Sequence, residues 1–130
     1  MPLVKISLRK GQNAEYKTVL LSGVHSALGN AYLVPDSEIY QQIYELDATD
    51  FQIPASQSDQ FVIIEIIAFP GRSFDAKKYL YEGIVQNLGE SLKIPGSDIL
   101  IILHEPPMEN WGVHGGKPAS EVDLGFKVAI

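Results

Sequence analysis

A stretch of this chain occurs twice, first as LGNAYLVPDSEI over residues 28–39 and again as LGESLKIPGSDI over residues 88–99. The two copies align without a gap at an offset of 60 positions, and the match extends back to Gly11 and Gly71 with nine identical residues in all. A repeat of this length indicates two copies of one supersecondary unit. Pro35 and Pro95 mark where a helix must have ended, because the residue before a proline avoids helical backbone angles.

Each copy is predicted to form a strand, a helix and a second strand. The four predicted strands cover residues 3–8, 39–45, 61–69 and 99–104. Between the strands of each copy, apolar residues recur at steps of three and four, which is the period of an amphipathic helix. Asn13 and Ser73 are the predicted N-caps, since their side chains can accept a hydrogen bond from a free N–H group of the first turn.

These units predict an α/β (α+β) fold in a single domain of residues 1–130. Repeat one covers about residues 2–45, repeat two about residues 61–105, and a C-terminal arm about residues 106–130. Two strands joined by a helical crossover are nearly always parallel, with a right-handed connection. We therefore expect a four-stranded sheet with both helices on one face. The other face would expose apolar side chains, which predicts a homo-oligomer.

The C-terminal arm differs in character from the repeats. Pro106-Pro107 and Gly115-Gly116 interrupt regular structure, whereas Trp111, Leu124 and Phe126 provide apolar anchors. We therefore expect an arm with a short hairpin that lies on a neighbouring subunit.

Composition excludes several classes of function. The net charge of −6 and the pI near 4.9 argue against binding nucleic acid or an anionic membrane. The absence of cysteine removes disulfides, thiolate nucleophiles and cysteine-based metal sites. His104 and His114 have no paired spacing typical of a metal site. No signal peptide or membrane-spanning run is visible, so a cytoplasmic location is expected.

Pro2 is the sharpest chemical clue in the chain. Methionine aminopeptidases remove Met1 when the next residue is small, and Pro2 would then carry a secondary amine at the N-terminus. The pKa of an α-amino group lies near ~8. An apolar pocket and a nearby cation would both lower the pKa of this amine, which favours a free base at neutral pH. The alternative is that Pro2 is an accident of initiation.

A duplicated β-α-β unit with proline directly after the first methionine resembles the tautomerase superfamily. The chain is most similar to the malonate semialdehyde decarboxylase-like branch, and the resemblance covers about residues 2–114. It rests on the order and spacing of five segments: MPLVK at 1–5, GVHSAL at 23–28, VPDSEIYQ at 34–41, PGRS at 70–73 and ENWG at 109–112. The resemblance implies a homotrimer, Pro2 as the catalytic group, a small carboxylate-bearing carbonyl substrate and no cofactor.

Arg72 is the second candidate. It lies at the predicted start of the second helix, where a guanidinium group and free backbone N–H groups both favour a carboxylate. The resemblance implies that Arg72 binds the substrate's carboxylate and lowers the pKa of Pro2. The decarboxylase branch has a second arginine two positions earlier, where this chain has Pro70. That departure counts against decarboxylation.

The remaining candidates carry competing interpretations. The resemblance implies a catalytic carboxylate at Glu38, but Asp36 is close enough to be its rival, and both residues also suit a solvated turn. His25 resembles a histidine of the decarboxylase branch and equally fits a half-buried helical residue. Tyr40 and Trp111 are candidates for the walls of a substrate pocket, although aromatic residues at such positions more often serve packing.

The leading hypothesis is a tautomerase-type enzyme that uses Pro2 as a general base on a small keto or enol carboxylic acid. The nearest alternative is a decarboxylase or hydratase in which Pro2 acts as a general acid. A third hypothesis is a trimeric interaction protein that has the fold but no catalysis.

Overall fold

The computed structural model describes residues 1–130 and contains the two predicted β-α-β units. The helices and main strands are β1 (Pro2–Arg9), α1 (Ala14–Tyr32), β2 (Tyr40–Leu46), β3 (Val62–Ala68), α2 (Phe74–Leu92) and β4 (Ile99–His104). Each predicted strand agrees with the observed one to within one residue at both ends. The predicted fold class is therefore confirmed. Neither helix is long and apolar enough to cross a membrane.

Both helices begin at the predicted caps. The Asn13 side chain accepts a hydrogen bond from the backbone N–H of Tyr16 at 2.8 Å, and the Ser73 hydroxyl oxygen accepts one from the N–H of Ala76 at 3.1 Å. These bonds satisfy donors that have no partner within the helix. The two helices therefore begin at equivalent positions of the two repeats, each with a side-chain N-cap.

The four main strands form one mixed sheet in the order β2-β1-β3-β4. β1 is parallel to β2 and β3 is parallel to β4, as expected for helical crossovers, whereas β1 and β3 pair antiparallel at the centre. In that central pair Pro2 lies opposite Ala68. The start of the first repeat is therefore next to the end of the first strand of the second repeat.

The hydrophobic core lies between the sheet and the two helices. Alternate residues of the central strands are completely buried against the helices: Val4, Ile6, Val62, Ile64 and Ile66. The opposite face of the sheet is open, and it exposes apolar side chains on both outer strands: Tyr40, Tyr44, Leu100 and Ile102. Both helices thus cover one face and leave the other without a partner in the single chain.

The C-terminal arm contains the expected hairpin, in which β5 (Gly112–Val113) pairs antiparallel with β6 (Lys117–Pro118). The apolar residues of the arm pack on their own chain, and the expected contact with a neighbouring subunit stays a prediction. They surround Phe69, which is buried just after β3, because that side chain offers them an apolar surface. The arm therefore covers the end of the sheet where Pro2 lies.

Candidate active site

The start of β1 lies in a partly enclosed position. Pro2 is buried, and the α-amino group of Met1 in front of it donates hydrogen bonds to the backbone carbonyl of Glu38 and to its carboxylate, the latter at 3.3 Å. Glu38 ends a short 3₁₀ turn, Asp36–Glu38, between α1 and β2. This turn therefore brings one of the two rival carboxylates to the N-terminus.

Arg72 is one of the two charged residues buried in this chain. Its side chain is 5% exposed, and Nη1 donates a hydrogen bond to the carbonyl of Phe69 at 3.1 Å. The turn that places it depends on Gly71, whose φ of +128° is a backbone conformation that L side chains rarely adopt. Nε and Nη2 of Arg72 are buried and have no hydrogen-bond partner in the chain. Burial lowers the pKa of this guanidinium group from its usual range.

Glu38 and Arg72 act on the same amino group. Burial lowers the pKa of the Met1 α-amino group below its usual value, and this is the largest effect on it. The Glu38 carboxylate raises that pKa through its hydrogen bond and its charge, while the positive charge of Arg72 lowers it. The charges of Glu38 and Arg72 therefore both influence the N-terminus, where Pro2 lies.

Trp111 joins this group through an aromatic contact. Its ring centroid is 4.6 Å from that of Phe69, and its indole N–H donates to the carbonyl of Pro106 at 3.1 Å. The Met1 side chain packs against the same cluster around Phe69. Trp111 and Phe69 thus form an apolar boundary beside the N-terminus.

The side chains of the other three predicted site residues are partly or largely exposed. His25 Nε2 is 2.9 Å from Oδ1 of Asp36, whose side chain is 90% exposed, and neither residue has a hydrogen bond to Glu38 or Arg72. Tyr40 pairs in register with Leu3 and is exposed on the open face of the sheet. The catalytic or binding roles expected for these three residues stay predictions.

The single chain has no open pocket at this site. The largest surface cavity, of about 390 Å³, lies in the groove between α1 and α2, and none of the cavities is lined by Pro2, Glu38 or Arg72. Met1 and the arm cover this end of the sheet.

Comparisons with known proteins identify the family. A family model described as tautomerase enzyme matches residues 38–114, and a second model with the same description matches residues 2–60. The chain belongs to the tautomerase family. The superfamily resemblance noted from the sequence is therefore confirmed, and the two matches together cover both repeats.

Individual relatives of the tautomerase family match along most of the chain. The probable tautomerase YusQ of Bacillus subtilis (strain 168) is 24% identical over 122 residues, which are 90% of this chain and 96% of that protein. Malonate semialdehyde decarboxylase has the same fold at a TM-score of 0.81 and 23% identity, over 89% of this chain and 93% of that one. A symmetric trimer of wild-type fused 4-OT matches at a TM-score of 0.80 and 22% identity, over 91% and 96% of the two chains. The two structures show a shared fold.

Sequence reasoning missed three residues around Arg72. The Arg72 guanidinium lies over the ring of Tyr32, with 4.4 Å from Cζ to the ring centroid. Glu105 is close enough for its charge to raise the pKa of Arg72, and Lys77 forms an ion pair with Glu105 at 2.7 Å. The available signal was a tyrosine at the end of a helix and a carboxylate directly after β4. Neither pattern by itself indicates a site.

We predict opposite changes in the pKa of the α-amino group when its two charged neighbours are replaced in protein that retains Met1. Glu38→Gln removes a negative charge and should lower this pKa, whereas Arg72→Ala removes a positive charge and should raise it. An NMR titration of the Met1 α-carbon measures both shifts. His25→Ala, whose ring contacts Asp36, is the control and should leave the pKa unchanged. Shifts of the same sign in the two variants would contradict the assigned electrostatics.

Proposed function

We propose that this protein is a tautomerase-type enzyme in which Pro2, exposed by removal of Met1, is the general base for a small keto or enol carboxylic acid. The observation that supports this most directly is the buried, unpaired edge of Arg72 beside the N-terminus. A guanidinium edge with two free N–H groups suits a carboxylate, which accepts both bonds in parallel. The expected cytoplasmic location rests on the sequence alone.

The surroundings of the N-terminus suit a base at neutral pH. A secondary amine at Pro2 would take up a position next to that of the Met1 amino group and experience the same influences. Burial and Arg72 both disfavour the protonated amine, and these influences exceed that of Glu38 on the present amino group. A pKa brought toward neutrality is the value at which a general base is most effective.

The proposed reaction is a proton transfer within the substrate. The Pro2 nitrogen accepts the proton of the enol hydroxyl, the O–H electron pair forms the carbonyl, and the electron pair of the C=C bond takes the proton back from the Pro2 ammonium at carbon. Glu38 stabilises the ammonium between these two steps through its hydrogen bond and charge. Arg72 holds the carboxylate, and Trp111 with Phe69 limits access of water. The product is an isomer, so no other reactant is needed.

We also propose that the enzyme is a homotrimer assembled through the open face of the sheet. That face exposes Tyr40, Tyr44, Leu100 and Ile102 to between 39% and 52% in the single chain. Large apolar side chains exposed on one face of a sheet are typical of an interaction surface. The fused 4-OT structure, which is a trimer, supports the choice of three subunits through its shared fold.

The assembly can be tested by introducing a charge on the open face. Leu100→Lys should convert the trimer to monomers, because three lysine side chains would be buried, each beside the apolar Ile63 that pairs with residue 100 on β3. Light scattering after size-exclusion chromatography should give about three times 14.3 kDa for the wild type and 14.3 kDa for the variant. Leu33→Lys is the matched control, since Leu33 is 67% exposed and Lys93 occupies the same left-handed position in repeat two. A monomeric wild type at micromolar concentration would overturn the proposal.

The pH dependence of kcat/KM tests the role of Pro2. If Pro2 is a base, kcat/KM should rise with pH through one ionisation whose pKa lies below the usual value of an α-amino group. Arg72→Ala should move this ionisation to higher pH and lower kcat/KM about 10- to 100-fold, as expected for loss of ~1.5–3 kcal/mol of charged hydrogen bonding. Proton NMR with phenylenolpyruvate, 2-hydroxymuconate and malonate semialdehyde provides the assay.

The opposite slope would favour the alternative chemistry. A decarboxylase or hydratase with Pro2 as general acid would lose activity as the pH rises through the same ionisation. A profile that is unchanged in Pro2→Ala would reject both enzymatic proposals and favour the interaction protein.

A further inference from the structure

Arg72 is held in place without a counter-ion. None of the ion pairs of the chain includes Arg72, although this residue is only 5% exposed. Two contacts fix the guanidinium group: the hydrogen bond from Nη1 to the carbonyl of Phe69, and the stack over the ring of Tyr32 at 4.4 Å. Tyr32 itself is completely buried as the last residue of α1. The aromatic face is therefore the main packing partner of this cation.

Stacking and ion pairing have different consequences for an arginine that must bind a ligand. A ring contacts the flat face of the guanidinium group and leaves the N–H groups at its edge free. A carboxylate of the protein would occupy that edge and compete with any carboxylate of a ligand. In this structure Nη1 is used, while Nε and Nη2 on the other edge have no partner.

One carboxylate would compete if it reached that edge. Glu105 directly follows β4, and its charge influences both Arg72 and Tyr32. Its Oε1, however, accepts a hydrogen bond from Nζ of Lys77 at 2.7 Å, and its buried Oε2 has no partner. Lys77 lies in the first turns of α2, five residues after Arg72, and its ammonium group holds the Glu105 carboxylate through this hydrogen bond.

We propose that Tyr32 is the positioning residue for Arg72, and that Lys77 restrains Glu105, so that the Nε–Nη2 edge of Arg72 stays free for the substrate's carboxylate. This inference rests on the proposed function, in which Arg72 binds that carboxylate. It assigns the availability of Arg72 for acids to two residues that do not touch the reacting atoms. Tyr32 fixes the direction of the guanidinium group, and Lys77 prevents its neutralisation.

Replacement of Tyr32 tests the positioning role. Tyr32→Leu should raise KM for phenylenolpyruvate about 3- to 30-fold, the range from an exposed to a desolvated cation–π contact, with a much smaller change in kcat. The KM of the methyl ester, which lacks the carboxylate charge, should stay the same. Tyr32→Phe retains the ring and should restore the wild-type KM for the acid.

A second variant separates positioning from a general loss of stability. Leu20 lies in the same helix, twelve residues before Tyr32, and belongs to the core cluster, which does not include Arg72. Leu20→Ala creates a cavity there, so it should lower the melting temperature without changing the ratio of the two KM values. The inference is overturned if Tyr32→Leu changes KM for acid and ester equally, or if Leu20→Ala reproduces its effect.

Replacement of Lys77 tests the restraint on Glu105. Lys77→Met should raise KM for the acid because Glu105 becomes free to pair with Arg72, and the double variant Lys77→Met with Glu105→Gln should restore it. An unchanged KM in the single variant, or no recovery in the double variant, would overturn the restraint.

If Arg72→Ala raises KM for the acid and Tyr32→Leu does not, this inference fails and the proposed function stands. If Arg72→Ala leaves that KM unchanged, the proposed function itself fails.

Discussion

The antiparallel pairing of β1 with β3 is the constraint on which the arrangement of the site depends. Each repeat is a parallel β-α-β unit, and the first unit by itself brings Glu38 to the N-terminus but not Arg72, which belongs to the second. Because the two units join through their first strands with Pro2 opposite Ala68, the N-terminus lies at the end of β3. The chain then continues through Phe69 to Arg72, and the arm packs on Phe69. One strand pair thereby brings together residues from both ends of the sequence.

Opposing electrostatic effects meet at this point. Removing an amine and a guanidinium group from water disfavours both charged forms, and their proximity adds repulsion. Glu38 opposes these effects at the amino group, but burial is the larger influence and the pKa of that group falls. Arg72 keeps its charge in the interior through an aromatic face instead of a carboxylate. A buried guanidinium group with an unpaired edge costs free energy when no ligand is bound. A bound anion would offset this cost, which is the property expected of a binding site.

The fold was predictable because it follows from local patterns that the chain presents twice. The offset of 60 positions, the caps at Asn13 and Ser73 and the prolines after each helix define both units before any tertiary contact is known. The site was predictable only as a set of candidates. Asp36 and Glu38 are two positions apart, and the direction of a single 3₁₀ turn decides which one contacts the N-terminus. The packing of Tyr32, Lys77 and Glu105 around Arg72 arises from three separate elements, so no local pattern predicts it.

The central claim is that the Pro2 nitrogen is a free and reactive base beside Arg72. Its most direct test is covalent labelling with an acetylenic 2-oxo acid such as 2-oxo-3-pentynoate, whose alkyne accepts an amine nitrogen and whose carboxylate requires a cation. Peptide mass spectrometry after digestion locates the adduct. The account predicts one adduct per chain, on an N-terminal peptide that begins with Pro2 and lacks Met1. An adduct confined to lysine side chains, or an unmodified peptide that still begins with Met1, would contradict it.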